Sequence, residues 1–465
     1  MNPNMFRKYD IRGIAGSDMN KADVFRISRA IGLFLHKKGA RHLAVGRDCR
    51  ESSPAYGEEL RRGLLSAGCR ITDIGICPTP LLYFTIHHLE TDGGVMLTAS
   101  HNPKEYNGFK ICHGLESVHG PDLQEIRRLA ENMEAGEISP ENASEDAASG
   151  KTGPGNAGTV DHADVLPAYI RAVTERVRLS RPLRVGVDAG NGAAGVTAVP
   201  VLEALGCEVH PIHCELDGRF PNHDADPTVL KNLTDLIALV KEKKLDLGIG
   251  FDGDGDRIGV VDDAGEVVYG DQLMVLYARE ILSRKPGAVF ISEVKCSKVM
   301  YDEIKARGGR AVMWKTGHSL IKAKMKAEGA ALAGEMSGHM FFADRWFGFD
   351  DATYAAARLL EIIAASDRRM GEMLSDLPKT VTTPEIRVDC PDDKKFHIVE
   401  KAAAQLKARY PVVDIDGVRV LFDDGWGLVR ASNTQPALVL RFEAMTEERL
   451  AEIRAIVEGA VKDVS

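Results

Sequence analysis

Residues 245–257 read LDLGIGFDGDGDR. Leu245 to Phe251 make a short apolar run of strand character, and Asp252, Asp254 and Asp256 follow at once, spaced by Gly253 and Gly255. Carboxylates at alternate positions converge only where the backbone bends tightly, which glycine permits. An isolated D-x-D is usually a solvated acidic turn. Three aspartates closing an apolar strand instead predict a site for a hard dication such as Mg2+, which takes oxygen ligands and leaves positions open for water or phosphate oxygen. A calcium EF-hand loop is a poor match. It needs glycine at its sixth position and glutamate at its twelfth, where this chain has Arg257 and Asp263.

The segments on either side alternate in period. Lys21–Lys38 carries Val24, Ile27, Ile31 and Phe34 on one helical stripe. Strand-like runs at 42–48, 69–76 and 93–100 are separated by helical segments at 54–67 and 81–90. A second unit runs from a strand at 183–189 through a glycine-rich turn, a helix to Leu205, a strand at 207–212 and a helix near Thr228–Lys243 to the strand at 245–252. A third begins near Gly265 and holds strands at 288–294 and 310–315 and a helix at 353–365. This alternation implies mostly parallel α/β sheets, with ligands beyond the strands' carboxyl ends. The tail differs. Strands at 418–422 and 426–432 flank Asp423-Asp424-Gly425, a hairpin signal, and 437–444 is a further strand. A last helix sets Leu450, Ile453, Ile456, Val457 and Val461 on one face. Residues 133–160, rich in Gly, Ser, Asn, Pro and acid, read as a surface linker.

Bulk properties narrow the function. At 465 residues the chain should form several domains, and 44% hydrophobic and 27% charged residues suit a globular protein. No apolar stretch approaches the roughly 18 residues needed to cross a bilayer. The start, MNPNMFRKYDIRG, has no apolar core after a basic head, so the cytoplasm is the expected location. A formal net charge of −9 argues against a nucleic-acid partner, and an anionic substrate would need local clusters of Arg, Lys and His. The eight cysteines show no Cys-x-x-Cys pair, a pattern of idle thiols rather than a disulfide frame or zinc knuckle.

Four further segments carry chemistry. Thr98-Ala99-Ser100-His101-Asn102-Pro103 sets a serine beside a histidine at a strand's end, a candidate nucleophile without the G-x-S-x-G elbow of α/β-hydrolases. A phosphate on Ser100 would add about −1.5 to −2 charge and make it a partner for a dication on the aspartates. Gly190-Asn191-Gly192-Ala193-Ala194-Gly195 matches G-x-G-x-x-G after a strand, with Glu215 further on. It supports a rival nucleotide-dependent oxidoreductase, but the same glycines serve an ordinary tight turn, and no hydride-transfer site accompanies them. Gly334-Glu335-Met336-Ser337-Gly338-His339 suits binding of vicinal sugar hydroxyls. Arg430-Ala431-Ser432-Asn433-Thr434-Gln435-Pro436 offers donors that would cradle a phosphate. Each of the last two, alone, could be a polar turn. A metal-binding module without catalysis is the third reading and rests on the aspartates alone.

Together, TASHNP, DGDGDR, GEMSGH and RASNTQP resemble the α-D-phosphohexomutase family in order and separation, over nearly the whole chain. FRKYDIRG (6–13), GRDCRESSP (46–54), EYNGFKI (105–111), WKTGHSLIK (314–322) and DRWFGFDD (344–351) extend the likeness. The resemblance implies three similar mixed α/β domains and a smaller α+β domain of TATA-binding-protein type around a central cleft. The expected divisions are 1–157, 158–264, 265–378 and 379–465. It implies that Ser100 carries the phosphoryl group and that Asp252, Asp254 and Asp256 hold Mg2+ with it. Lys110 and His339 become the acid and base candidates, and His101 supports the serine loop. Arg257 and Lys295 would line the sugar-phosphate site, with Tyr9, Arg12, Lys315, Gly317, His318 and Ser319 completing it. Glu335 and Ser337 would bind sugar hydroxyls. Arg430, Ser432, Asn433 and Thr434 would grip the phosphate that is not being transferred.

The activity implied is reversible interconversion of hexose 1- and 6-phosphates through an enzyme-bound hexose 1,6-bisphosphate, which also serves as primer. Met336 favours mannose and glucose phosphates over amino sugars, whose mutases usually carry glutamine there. Expected partners are small hexose phosphates, with no nucleic acid and no membrane, and the chain is expected to be a monomer or weak homo-oligomer.

Overall fold

The computed structural model describes residues 1–133, 158–433 and 435–464. The linker expected at 133–160 therefore lies outside the described residues except at its ends, and Thr434 lies outside them too. Two compact units form. The first comprises Met1–Val268, Ser337–Met340 and Phe349–Gly371, and the second Tyr269–Met336, Phe341–Gly348 and Glu372–Ser465.

Two sheets make up the first unit. One contains β1 (Ile11–Ile14), β2 (His42–Arg47), β3 (Arg70–Ile76), β4 (Gly93–Leu97), β5 (Tyr106–His113), β6 (Glu116–Ser117) and β7 (Val160–His162). Their order is β1-β5-β4-β2-β3-β7, with β6 beside β5. The helix Lys21–Lys37 starts at a capping box between Asn20 and Asp23 and buries Val24, Ile27, Ile31 and Phe34, as its stripe predicts. Each such side chain contributes about 1.5–3 kcal/mol through removal from water. β2, β3, β4 and β7 are parallel, but β5 runs antiparallel to both β4 and β1, so the sheet is mixed rather than mostly parallel. The reversing strand hides in the sequence because Asn107 and Lys110 break its apolar pattern, although both are buried.

The other sheet holds β8 (Arg184–Asp188), β9 (Glu208–Ile212), β10 (Leu247–Phe251), β11 (Ile258–Asp262) and β12 (Val267–Val268), in the order β12-β11-β10-β8-β9. β10 and β11 form an antiparallel hairpin with Phe251 opposite Ile258, so residues 252–257 are its turn. The helix expected near Thr228–Lys243 begins at Thr234, after a 3-10 turn at Leu230–Leu233. Asp226 accounts for the delay: its carboxylate accepts from Thr228 N and Oγ1, and Asn232 Nδ2 donates to its carbonyl. β7 belongs to the first sheet and β12 to the second, so divisions at 157/158 and 264/265 would each cut off a terminal strand.

The second unit also has two sheets. β13 (Val289–Glu293), β14 (Arg310–Trp314), β15 (Leu332–Gly334) and β16 (Met340–Phe342) lie in the order β14-β13-β15-β16. β17 (Val381–Thr382), β18 (Ile386–Asp389), β19 (Val412–Val413), β20 (Val418–Phe422), β21 (Gly425–Ala431) and β22 (Ala437–Ala444) form an antiparallel sheet ordered β17-β22-β21-β20-β19, with β18 beside β22. Its core takes Ile453 and Val457 from the last helix, Glu447–Lys462. The hairpin turn is Asp423-Asp424 alone. Gly425 is already in β21, opposite Phe422.

Candidate active site

β4 ends at Leu97, and Ser100 follows three residues later in the left-handed region (φ +54°), which a non-glycine residue seldom adopts without a compensating hold. The hold is extensive. Thr98 Oγ1 accepts from Ser100 N at 2.9 Å. Arg50, 1% exposed, spends its guanidinium on the same loop. It donates to the carbonyls of Ser100 (2.7 Å), Asn102 (2.7 Å), Pro103 (2.6 Å) and Tyr106 (3.1 Å), while Asp48 orients its Nε at 3.1 Å. From the other side Arg12, paired with Asp10 at 2.7 Å, donates to Ala99 O and Asn102 Oδ1. Tyr9 is buried just ahead of β1. Sequence reasoning assigned Arg50 no role. The available signal was its position inside GRDCRESSP, a stretch rich in charge yet inside an α/β layer.

The aspartate loop meets this serine. Ser100 Oγ donates to Asp252 Oδ2 at 2.7 Å, and Asp252 Oδ1 accepts from Asp256 N and Arg257 N at 3.0 Å each. Gly253 makes the approach possible: a Cβ there would stand 2.5 Å from Ser100 O. The three carboxylates are fully buried, with ligand oxygens all within 4.8 Å of one another. Lys110 on β5 extends its ammonium to Asp254 and Asp256, and Thr79 Oγ1 donates to Asp254 Oδ2 at 2.5 Å. Asp254 Oδ1 is buried with no hydrogen-bond partner among the described residues. A hard all-oxygen donor set with an unsatisfied buried carboxylate oxygen fits a dication, and Lys110 Nζ competes for the same oxygens.

Electrostatics divide the cluster. Burial, then the neighbouring Asp256 and Asp254, hold the Asp252 carboxyl well above the usual range. Burial opposes ionisation of Asp256 as well, yet Lys110, His339 and Arg257 outweigh it and hold that carboxyl well below. Burial pulls the Lys110 ammonium down, but Asp254, Asp256 and Asp252 raise it above an ordinary lysine. As placed, it is a held counter-charge rather than a base. His101 Nδ1 lies 3.2 Å from Ser100 Oγ, and burial followed by Arg257 and Arg12 pushes its ring well below the usual histidine value, so it is neutral near pH 7. His339 pairs as an isolated bridge with Arg257, sets Nε2 3.1 Å from Asp256 Oδ1, and faces Ser337 Oγ at 3.2 Å through Nδ1.

The remaining candidates gather in the second unit. Lys295, just past β13, is buried with Nζ 3.1 Å from Glu385 and 3.8 Å from Glu293. Burial lowers its basicity but these carboxylates raise it overall, and Lys295 in turn holds the Glu385 carboxyl down to about 2. Glu335, 2% exposed, accepts from Gly317 N at 2.7 Å, which ties GEMSGH to the 315–319 loop. Lys315 is exposed, and His318 and Ser319 are buried at the start of the helix His318–Glu328. Asp416 Oδ2 accepts from Thr316 N and from Arg430 Nε, both at 3.0 Å. Ser432 Oγ accepts from Gln435 N at 3.1 Å, and Lys395 Nζ donates to Gln435 O at 2.9 Å. Asn433 stands between Ser432 and the undescribed Thr434. Sequence reasoning missed Lys395, Glu293, Glu385 and Asp416. It also missed Arg419, which stacks on Trp426 (3.7 Å to the ring centroid) and donates to the carbonyls of Val294 and Cys296 on either side of Lys295.

G-x-G-x-x-G proves to be scaffolding for the aspartates. Ala193 N donates to Gly253 O at 2.9 Å, and a Cβ on Gly192 would stand 2.7 Å from that oxygen. Gly192 packs on the acidic loop, Gly190 on Ala225 and Gly195 on Cys214, so all three motif glycines are taken up by the protein's own chain.

Three α/β layers and one antiparallel layer in this chain order, with a serine held against three buried carboxylates, define the phosphohexomutase class of enzyme. Family models of phosphoglucomutase/phosphomannomutase match domain I at 3–136, domain II at 167–265, domain III at 269–381 and the C-terminal domain at 385–460. The chain is 47% identical to a phosphomannomutase/phosphoglucomutase of Pseudomonas aeruginosa over 99% of its length and 96% of that protein. It is 42% identical to a phosphoglucomutase of Neisseria gonorrhoeae, covering 98% and 97%. A crystal structure of a phosphoglucomutase/phosphomannomutase family protein from Burkholderia thailandensis superposes with a TM-score of 0.90 at 39% identity, covering 100% and 98%. The chain belongs to the phosphoglucomutase/phosphomannomutase family.

Proposed function

We propose that this chain interconverts the 1- and 6-phosphates of glucose and mannose, with Ser100 as the phosphoryl carrier and a hexose 1,6-bisphosphate as intermediate and primer. The observation that carries the reading is Ser100 Oγ held 2.7 Å from Asp252 on a loop fixed by two guanidinium groups. Mg2+ on Asp252, Asp254, Asp256 and an oxygen at Ser100 would neutralise charge on the transferring group. In the first half-reaction the bond from phosphorus to Ser100 Oγ breaks as one to the sugar hydroxyl oxygen forms. The proton leaving that hydroxyl balances the one returning to Ser100 Oγ, and Lys110 and His339 are the groups assigned to carry them. The bisphosphate then turns end for end and returns its other phosphate to Ser100. Arg257 and Lys295 would face the sugar phosphate, and Glu335 and Ser337 its hydroxyls. Arg430, Ser432, Asn433 and Thr434 would hold the spectator phosphate in both orientations.

Phosphorus NMR tests the activity. Glucose 1-phosphate and mannose 1-phosphate are each incubated with the protein, Mg2+ and a trace of hexose 1,6-bisphosphate. The 6-phosphate should grow without free phosphate. Unchanged spectra with both sugars, but conversion of glucosamine 1-phosphate, would move the substrate to the amino sugars. Release of free phosphate alone would refute the transfer mechanism.

A further inference from the structure

A second cluster of metal-ligating side chains lies in the first unit behind the aspartate loop. Asp188 closes β8, His213 follows β9, and His223 sits in the loop that leads to Ala225. One ligand atom from each lies within 4.8 Å of the other two. Asp188 is buried, whereas His213 and His223 keep 19% and 14% of their side chains exposed, so solvent reaches the cluster from one side.

Hydrogen bonding fixes how these rings present themselves. His223 Nδ1 is 2.9 Å from the Asp224 carbonyl, which only accepts, so Nδ1 carries hydrogen. In a neutral ring Nε2 then has a lone pair, and it stands 3.0 Å from Asp188 Oδ2, another acceptor. Either a proton on Nε2 or a metal ion bound by both atoms satisfies this contact. His213 repeats the pattern, with Nε2 3.0 Å from the Asp235 carboxylate and its other ring nitrogen left for a ligand. Histidines that bind metals characteristically donate their second N–H to a carboxylate or backbone carbonyl, which sets the tautomer and the ring plane. Both arrangements occur here.

We infer that Asp188, His213 and His223 form a binding site for a zinc-class transition-metal dication, separate from the oxygen-lined site at Asp252. Two imidazoles and one carboxylate make a donor set that suits Zn2+, Co2+ or Ni2+ and disfavours Mg2+. Tetrahedral bonds of about 2.0–2.1 Å place ligand atoms roughly 3.4 Å apart, between the 3.0 Å that separates His223 Nε2 from Asp188 Oδ2 and the 4.8 Å limit on the set. Three protein ligands leave a fourth position for water on the exposed side. When no metal is bound, Asp188 raises the His223 pKa and a proton takes the cation's place. The metal would clip the ends of β8 and β9 to the 219–227 loop, whose Ala225 carbonyl accepts from Gly253 N at 3.1 Å.

Equilibrium dialysis of the full chain against Zn2+, with excess Mg2+ to saturate the oxygen-lined site, tests this directly. The wild type should retain one Zn2+ per chain. His213→Ala should weaken retention at least tenfold. Asp235→Ala, at an exposed position, should weaken it about tenfold by removing the acceptor that orients His213. X-ray absorption of the Zn2+ form should show imidazole scattering. Retention unchanged in both variants, or no Zn2+ retained by the wild type, would overturn the assignment.

Discussion

The two units treat charge in opposite ways. Around Ser100 the first unit packs Asp252, Asp254, Asp256, Lys110, His339 and Arg257 into one cluster in which each group shifts its neighbours' ionisation. Around Lys295 and Arg430 the second unit pairs cations with particular acids: Lys295 with Glu293 and Glu385, Arg430 with Asp416. A dense cluster produces a strong, preorganised field, which phosphoryl transfer requires. In the proposed function, the ion pairs of the second unit would keep its guanidinium and ammonium groups desolvated and oriented for a phosphate. Under the function proposed above, the contrast puts chemistry in the first unit and recognition in the second, and it can be broken by kinetics.

The largest effect should come from Ser100→Ala. Turnover should fall by at least about 10^4-fold, because the covalent carrier is lost, while affinity for hexose phosphate measured by calorimetry changes little. Residual turnover at the percent level would put the carrier elsewhere. Asp254→Asn comes next, with kcat lower by about 10^2 to 10^3 and KM nearly constant. In an Mg2+ titration Lys110→Met should show tighter Mg2+ binding than the wild type, since Nζ no longer competes for Asp254 and Asp256, together with lower kcat. Weaker Mg2+ binding in that variant would contradict the placement of the ammonium.

Across the divide, Arg430→Lys should raise KM about tenfold and leave kcat within a factor of three, because a lysine does not reproduce the planar fork of arginine. A kcat defect would dissolve the contrast between the units. The smallest effect concerns stability. Lys295 depresses the Glu385 carboxyl from about 4.5 to about 2, so its contribution is present above pH 4.5 and disappears as pH falls toward 2. With allowance for partial exposure this amounts to about 1 kcal/mol. Urea unfolding between pH 5 and pH 3 should therefore show a flatter pH dependence for Glu385→Gln than for the wild type.

Legibility followed the same divide. The carboxylate loop was open to reading because its ligands are local: three aspartates, two glycines and one strand end lie within seven residues. Ser100 could be named, and through the family resemblance Arg12 and His101 with it, but Arg50, which makes four of the bonds that hold the loop, could not. Arg50 acts across a sequence separation that composition does not reveal, and Lys110, on a strand whose polar residues break the apolar pattern, was reached through the family resemblance alone. G-x-G-x-x-G misled in an instructive way. Its glycines do allow close backbone approach, as the motif promises, but the backbone admitted is the protein's own: Gly253 of the acidic loop at Gly192, Cys214 at Gly195 and Ala225 at Gly190. In the second unit the motif residues were visible, whereas their acidic partners Glu293, Glu385 and Asp416 lie in segments with no distinguishing pattern.

The central claim is that Ser100 carries the phosphoryl group between sugar positions, and a single-turnover experiment tests it most directly. The protein is phosphorylated by hexose 1,6-bisphosphate with Mg2+, freed of small molecules, and mixed with glucose 1-phosphate while the peptide containing Ser100 is followed by mass spectrometry. Phosphate should leave that peptide at least as fast as steady-state turnover and appear in the bisphosphate. Turnover that proceeds while Ser100 never bears phosphate would contradict the account.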